Sequence, residues 1–471
     1  MKSAFVSGVF NVLHPGHLRL FKFAKQNASM LVVGIESKKM IGDNNLHSDK
    51  SRLDVVSKCE WVDKVVLIEN NLEKVIKKIK PDIIVKGSEF KNKENLESKY
   101  ITNLKTKIIY SSGESFKYAS LNETIKNDKN SKHFVLDNEY IKRRNINKNK
   151  LKKIINNFNS VKLCVIGDII VDEYLNTQAL GVSKEDPTLV VTPLNKNKFI
   201  GGAGIVALHA SSLGAKPSFI SVIGNDEQFE YIKTSMINKK IHSNFLIDKS
   251  RKTTVKKRII SENKTLLRIN KFDQNIISEN FQKKILSILK KNIKKLNLIV
   301  LSDFNYGCLP KKLIDDIISL ANKNSVYVTA DSQISSQIGD ITRFHSLDLM
   351  SQTEFEIRSS LKNNFDGLVT ISKKLNKITN NKNIFLKLGS EGLLINSFEK
   401  NKLETDRINS FNNHPVDVAG AGDSMLIVSS ISRSLGATIW EAAYLGTLAS
   451  AIQVSRLGNV PLKIDELIDN L

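Results

Sequence analysis

Two strings in this sequence gather side chains able to handle a phosphate. In the first, GVFNVLHPGHLRL, His14 and His17 stand either side of Pro15 and Gly16. Proline suits the first turn of a helix, so both imidazoles open a helix and share one of its sides. Free backbone N–H groups and the helix dipole already favour an anion there. Ring N–H donors add stabilisation where charge migrates during group transfer. A metal held by the pair is the rival reading, although a third ligand at a metal spacing is missing. Two structural histidines at a turn is the bland one.

The second string is HPVDVAGAGDSMLIVSSISRSLG. Gly420, Ala421 and Gly422 precede a long apolar-periodic helix, so the backbone can approach an anion closely. Asp423 falls in the first turn. A carboxylate there suits the dipole but repels a phosphate unless it has a task. That task would be accepting the proton of a hydroxyl that attacks a γ-phosphate. An acidic helix cap after a glycine turn is the alternative.

Elements around these strings must position them. Apolar runs at 2–10, 31–37, 64–68 and 81–87 read as strands, and 15–28, 51–60 and 71–80 as helices. That alternation is the signature of a parallel sheet in an α/β domain. It fades after about residue 125. Residues 126–159 are polar and basic and read as a linker with some helix, or as an electrostatic binding tail. A second start, VKLCVIGDII at 161–170, opens a larger α/β unit that runs to 471. Within it TVKKRII (254–260) and TLLRINKF (265–272) flank a polar SENK turn and read as a hairpin. It is either a flap over a site or an edge extension of the sheet.

The chain has 471 residues, 41% apolar and 25% charged, which implies two to four soluble globular domains. No stretch reaches the ~18 unbroken apolar residues of a spanning helix. Cys59, Cys164 and Cys308 are odd in number with no CxxC, so a disulfide frame is not expected and a reducing cytoplasm is. The net charge of +23 comes mostly from lysines scattered among asparagines. Nucleic-acid readers rely on arginine forks and local patches, so anionic small ligands are expected rather than nucleic acid.

At His14 and His17 the segment Gly8-Val9-Phe10-Asn11-Val12-Leu13-His14-Pro15-Gly16-His17 resembles the HxGH nucleotidyltransferases, in their cytidylyltransferase-like branch. Asn11 stands where the family has Asp. PDIIVKGSEF (81–90) resembles the family's later strand and loop, with Lys86, Gly87 and Ser88 at a strand's carboxyl end, where open α/β sheets bind ligands. Arg52 resembles the family's arginine. Ser111, Ser112 and Ser115 only loosely echo its closing motif. The resemblance covers 1–125. It implies that a phosphorylated small molecule attacks the α-phosphorus of a nucleoside triphosphate and releases pyrophosphate. His14 and His17 would be catalytic, with Gly8, Phe10, Arg52, Lys86 and Gly87 binding nucleotide or phosphate.

Residues 160–471 resemble the ribokinase-like (PfkB) carbohydrate kinases. VDVAGAGDSM matches their signature, FIGGAGIVALHASSLGA their early glycine motif, and VIGDIIVDEY their opening strand. The resemblance makes Asp423 the catalytic base and the backbone of Gly420, Ala421 and Gly422 the anion hole. Asp172, Gly201 and Gly202 would bind the sugar, Glu354 would organise magnesium, and the hairpin would be the lid. VSKEDPTLVVTPL and LSDFNYGCL look closest to heptose 7-phosphate kinases. Departures are Ile205 and Ser351 in place of Asn, Ser332 and Gln333 in place of the Pro-Lys of D-P-K, and Tyr306 in place of Lys.

The expected fold class is therefore α/β: a Rossmann-like HxGH domain (1–125), a basic linker (126–159) and a ribokinase-like domain with a small β lid (160–471). Together these resemble bifunctional heptose 7-phosphate kinase / heptose 1-phosphate adenylyltransferase proteins with the domain order reversed. The resemblance implies ATP or another nucleoside triphosphate, Mg²⁺, sugar phosphates as substrates and a homodimer. A cytidylyltransferase fused to another sugar or polyol kinase, or a degraded kinase beside an active transferase, is the alternative.

Overall fold

The computed structural model describes residues 2–10, 13, 15–41, 48–87, 96–101, 106–110, 134–183, 185–186, 188–261, 264–334, 339–399 and 402–471. Asn11, His14, Ser88, Ser111, Ser112 and Ser115 lie outside them. The chain divides into two compact units, Met1–Ser131 and Lys132–Leu471.

In the first unit, β1 (Ser3–Gly8), β2 (Met30–Glu36), β3 (Lys64–Ile68), β4 (Ile83–Lys86) and β5 (Lys107–Tyr110) form a sheet in the order β3-β2-β1-β4-β5. All pairings are parallel, with Val6 opposite Val33 and Phe5 opposite Ile84. β1 is apolar on both faces because both are covered. Val6, Val33 and Val85 pack on Phe21 and Ala24 of the helix Pro15–Asn27. Phe5, Val32 and Ile84 pack on Ile76 of the helix Leu72–Ile79. The strand order reverses between β1 and β4, which opens a crevice beyond their carboxyl ends.

The second unit contains β6 (Lys162–Gly167), β7 (Ile169–Val182), β8 (Leu189–Gly202), β9 (Lys216–Ile223), β10 (His242–Ile247), β11 (Thr254–Ser261), β12 (Lys264–Lys271), β13 (Leu298–Asp303), β14 (Tyr327–Ser332), β15 (Leu349–Thr353), β16 (Asn383–Lys387), β17 (Leu393–Ser397) and β18 (Glu404–Ile408). Among the described residues the main sheet runs β10-β9-β6-β13-β14-β15-β16-β17-β18. It is parallel as far as β16, and β17 and β18 run antiparallel. Two apolar layers cover it, and the helix Ala421–Ser434 lies within one of them.

The segment 161–170 opens with a strand that ends in glycine and continues, after one residue, into a second strand. β6 ends at Gly167, and β7 leaves for a separate sheet ordered β12-β11-β7-β8. Asp168 stands at the break and accepts N–H bonds from Phe304 (2.8 Å), Tyr306 (3.3 Å) and Cys308 (3.2 Å). The hairpin forms as β11 and β12, antiparallel from Val255–Lys271 to Ser261–Lys264. It is half of a four-stranded sheet rather than a free flap.

The basic linker expected over 126–159 is corrected from Phe134 onward. The helices Asn138–Arg143 and Lys148–Asn156 belong to the second unit. Tyr140, Leu151, Ile154, Ile155 and Phe158 join its core, because their helical spacing gives an apolar stripe that the many lysines obscure. The charges are committed too. Arg143 and Arg144 pair with Asp406, Lys150 pairs with Glu441, and Arg144 stacks 3.5 Å above the Trp440 ring.

Candidate phosphate-handling sites

In the first unit the sheet brings Gly8, His17, Arg52, Lys86 and Gly87 to the crevice side. Gly8 ends β1, and a β-carbon there would lie 3.1 Å from the Phe10 ring. Phe10 adopts φ of 47°, a strained conformation for an aromatic residue. Its buried ring meets the His17 ring edge-on at 5.0 Å between centroids. The start of the helix Pro15–Asn27 is thereby tied to the end of β1, with His17 half-buried in its first turn.

Arg52 is 2% exposed and donates to the Val9 carbonyl at 2.5 Å and to Asp49 at 2.6 Å. It braces the loop after β1 rather than presenting a free guanidinium. Lys86 pairs with buried Glu97, which also accepts from Ser7 Oγ at 2.8 Å. Burial works against the Glu97 charge, but the Lys86 ammonium holds its carboxyl below the usual range. Burial raises Glu36, which Lys86 and Arg52 offset. Gly87 is buried directly after β4.

In the second unit Gly420 takes φ of 76° at the N-cap of the helix Ala421–Ser434. The left-handed Gly420 turns the chain into the helix. The Ala421 N–H bonds the Val418 carbonyl at 3.4 Å, which leaves the N–H groups of Gly422 and Asp423 to face an incoming anion. Asp423 follows, 6% exposed. Burial first, and repulsion by Asp331 second, push its carboxyl up to about 7, against the pull of Lys387 and Lys256. A carboxylate so placed changes charge near neutral pH, as a general base requires.

Asp172 lies in β7, paired across the sheet with Phe199 and Lys256. It accepts from Asn459 Nδ2 at 3.0 Å, and burial raises its pKa. A side chain at Gly201 would run into Asp172 Oδ2, and one at Gly420 into Asn459 Oδ1. Asn459 thus joins the predicted sugar-binding acid to the glycine turn. Gly202, at φ of 60°, caps the helix Ala203–Ser212. Between the acids lies Lys256, 5.1 Å from the Phe304 ring centroid and 5.6 Å from that of Tyr306. Burial lowers its pKa, and Asp172 and Asp423 oppose that.

The sheet of β7, β8, β11 and β12 is fastened to the glycine motif through Asp417. Asp417 Oδ2 accepts from the Tyr174 hydroxyl at 2.8 Å and from Gly458 N–H at 3.0 Å. Arg258 of β11 stands 3.6 Å from Oδ1. On the other side of the helix start is an apolar cavity of about 240 Å³. Gly389, Gly392, Val418, Met425 and Thr447 line it, and Lys387, Ala421 and Gly422 stand at its wall. Apolar walls with a few polar groups at one end suit a nucleobase and its phosphates.

Glu354 directly follows Thr353, which is in register with Lys387. It opens the helix Glu354–Leu361 and pairs with Arg358 at 2.6 Å. Glu356 is the buried acid, within electrostatic reach of Lys387 and Asp331. Among the described residues no three metal-binding side chains converge, so they do not fit a magnesium ion held by the protein alone. Ile205 is fully buried in the core.

Sequence reading missed Asp331, Lys387, Lys256, Asp417 and Asn459. Asp417 lies inside the quoted signature and Lys256 inside the quoted hairpin, so alternation along β11 could have aimed Lys256 inward. Lys387 and Asn459 carry no local mark. Among the described residues no helix is long and apolar enough to cross a membrane.

Residues 160–464 match the model of the pfkB family of carbohydrate kinases, and residues 5–113 match the cytidylyltransferase-like model. The bifunctional protein HldE of Aliarcobacter butzleri is 32% identical over 314 residues, 65% of this chain and 63% of that protein. The bifunctional protein HldE of Helicobacter acinonychis is 30% identical over 312 residues, 65% of each. The chain thus spans slightly less than two thirds of the length of these curated relatives. Two solved structures share the fold of the second unit. Arabidopsis thaliana ribokinase complexed with ribose and ATP has a TM-score of 0.52 at 16% identity, covering 66% of this chain and 98% of that one. Phosphofructokinase-2 from Escherichia coli in complex with substrates and products has a TM-score of 0.53 at 14% identity, covering 65% and 97%.

Proposed function

The chain belongs to the pfkB family of carbohydrate kinases, and from that premise we propose a bifunctional enzyme that performs two steps of a route from a sugar phosphate to a nucleotide-activated sugar of the ADP-heptose type, a separate phosphatase hydrolysing the bisphosphate to the sugar 1-phosphate between them. The second unit is the kinase. Asp423 accepts the proton of a sugar hydroxyl as its oxygen bonds to the γ-phosphorus of ATP. The bond from that phosphorus to the bridging oxygen breaks, and ADP leaves with the electron pair. Asp172, held by Asn459 at 3.0 Å, orients the sugar. The N–H groups after Gly420 receive the phosphoryl oxygens. The observation that carries this reading is the buried Asp423 at a glycine-turned helix start, poised near neutrality.

The first unit is the transferase. A phosphate oxygen of the sugar 1-phosphate bonds to the α-phosphorus of ATP, the α–β bridge breaks, and pyrophosphate departs. No protein nucleophile is needed, and His14 and His17 offset the migrating charge. Arg52 and Lys86 brace the crevice from below rather than contacting the nucleotide first. Magnesium enters bound to the nucleotide's phosphates, as part of the substrate. The bifunctional naming of the HldE relatives supports the pairing of activities.

Ile205 and Ser351 depart from the kinase pattern but leave Asp423 and its helix start in place, which favours an active kinase over a degraded one. Mass spectrometry of products from ATP or CTP with a panel of sugar phosphates tests the proposal. A sugar bisphosphate and a nucleoside-diphosphate sugar are expected. Absence of both with every sugar refutes it.

A further inference from the structure

Lys387 ends β16, and its ammonium lies 2.5 Å from Asp331 Oδ2. Both side chains are nearly withdrawn from solvent, at 12% and 5% exposure. A β-carbon on Gly422 would lie 3.2 Å from Lys387 Nζ and 3.4 Å from Asp331 Oδ2. The pair therefore sits against the first turn of the helix Ala421–Ser434, with Lys387 on the wall of the apolar cavity. An ammonium has three donors, and Asp331 takes the one hydrogen bond from Lys387 among the described residues. Asp331 Oδ1 has no partner among them.

Two departures noted in the sequence meet here. The lysine that D-P-K would place after Asp331 is Gln333. The asparagine that N-x-x-E would place in β15 is Ser351. β15 lies between β14 and β16, and Ser351 is in register with Asp331 on one side and Phe385 on the other. Ser351 is fully buried. Asp331 is in register with Ser351 and Lys387 with Thr353, so the Lys387–Asp331 bond crosses β15 beside the short Ser351 side chain. A cation missing from one strand is supplied from two strands away.

We propose that Lys387 is a catalytic residue of the kinase reaction, its ammonium contacting the oxygens of the phosphoryl group in transit, with Asp331 as its positioning residue. The reading rests on the kinase function proposed above. Lys387 stays protonated throughout. The hydroxyl proton goes to Asp423, the new bond is from sugar oxygen to γ-phosphorus, and ADP takes the electrons of the broken bond. Asp331, Glu356 and Asp423 all act electrostatically on this ammonium, so without it Lys256 is the remaining cation that acts on Asp423 among the described residues.

The test uses the full chain, with K387M, the double variant D331N/K387M, which also removes the Asp331 charge that Lys387 directly pairs, and D423N as reference. Kinase turnover is followed with ATP and the sugar-phosphate panel, and ATP and AMP affinities by calorimetry. K387M and the double variant are expected to lose about 10²–10³-fold in kcat, the effect of removing one transition-state donor. ATP affinity falls about tenfold while AMP affinity holds. A purely structural lysine would move the melting temperature but not the ATP-against-AMP difference. The assignment is overturned if the folded double variant keeps wild-type kcat and ATP affinity. Full turnover by D423N would instead overturn the kinase reading and leave the calorimetric comparison to judge Lys387.

Discussion

Protonation of Asp423 should shape the pH dependence of the kinase reaction. Its carboxyl is raised to about 7, by burial foremost and by Asp331 next, whereas an ordinary aspartate titrates near ~3.9. Only the ionised form accepts a proton. The active fraction is then about one tenth at pH 6, half at pH 7 and nine tenths at pH 8, so kcat/KM rises about tenfold from pH 6 to pH 8 and levels off. Replacing Asp331 with asparagine removes the second largest cause of the shift and leaves the opposing Lys387 charge unneutralised. The midpoint should move to lower pH. Coupled-enzyme rates at saturating nucleotide, with the same sugar phosphate for wild type and D331N, isolate the protein, because the substrate's own phosphate titrates near ~6 in both cases. A profile flat from pH 5.5 to 8 (roughly the window in which a pKa of 7 must show), or a D331N midpoint moved upward, would refute the reasoning.

The same shift sets a stability prediction. An acid whose folded pKa is raised adds no penalty below its unfolded value and its full penalty above the folded one, up to about 4 kcal/mol for a shift from 3.8 to about 7. D423N should therefore be more resistant to urea than wild type at pH 8, with the gain shrinking towards pH 4, while its kinase turnover falls about 10²–10⁴-fold. H17A should lower pyrophosphate release about 10²–10³-fold and leave sugar phosphorylation unchanged, measured side by side on the full chain. L151A, in the stretch first expected to be a linker, should destabilise the second unit by about 2–5 kcal/mol, visible as faster thermal loss of kinase activity than of transferase activity. Unequal losses would not appear if residues 134–160 were loosely attached.

How much was legible depended on how local the feature is. Gly420, Ala421, Gly422 and Asp423 declare themselves because the glycine turn, the helix start and the acid are contiguous; Asp423 is in the first turn as expected, while the helix already begins at Ala421 rather than after Gly422. The βαβ alternation of the first unit was readable for the same reason: strand and helix periods differ over a few residues. The kink at Asp168 was not, because β6 and β7 are joined without a turn signal and part only by entering different sheets. The helices of residues 134–159 were expected, but their membership of the second unit was not, because lysine and asparagine outnumber an apolar stripe whose partner surface lies far along the chain, at Trp440 and Glu441.

The helix starts, the sheet-forming runs and the acids at 172 and 423 were settled by residue type and short-range spacing, because backbone geometry there answers to neighbours in the chain. Which groups those acids meet was decided by strand order. Asn459 reaches Asp172 across 287 positions, and Lys387 reaches Asp331 across 56. Arg52 and Lys86, plausible ligand cations by type, proved to be committed to Val9, Asp49 and Glu97. No periodicity records such pairings, since a contact between distant positions depends on how whole elements pack rather than on any local pattern.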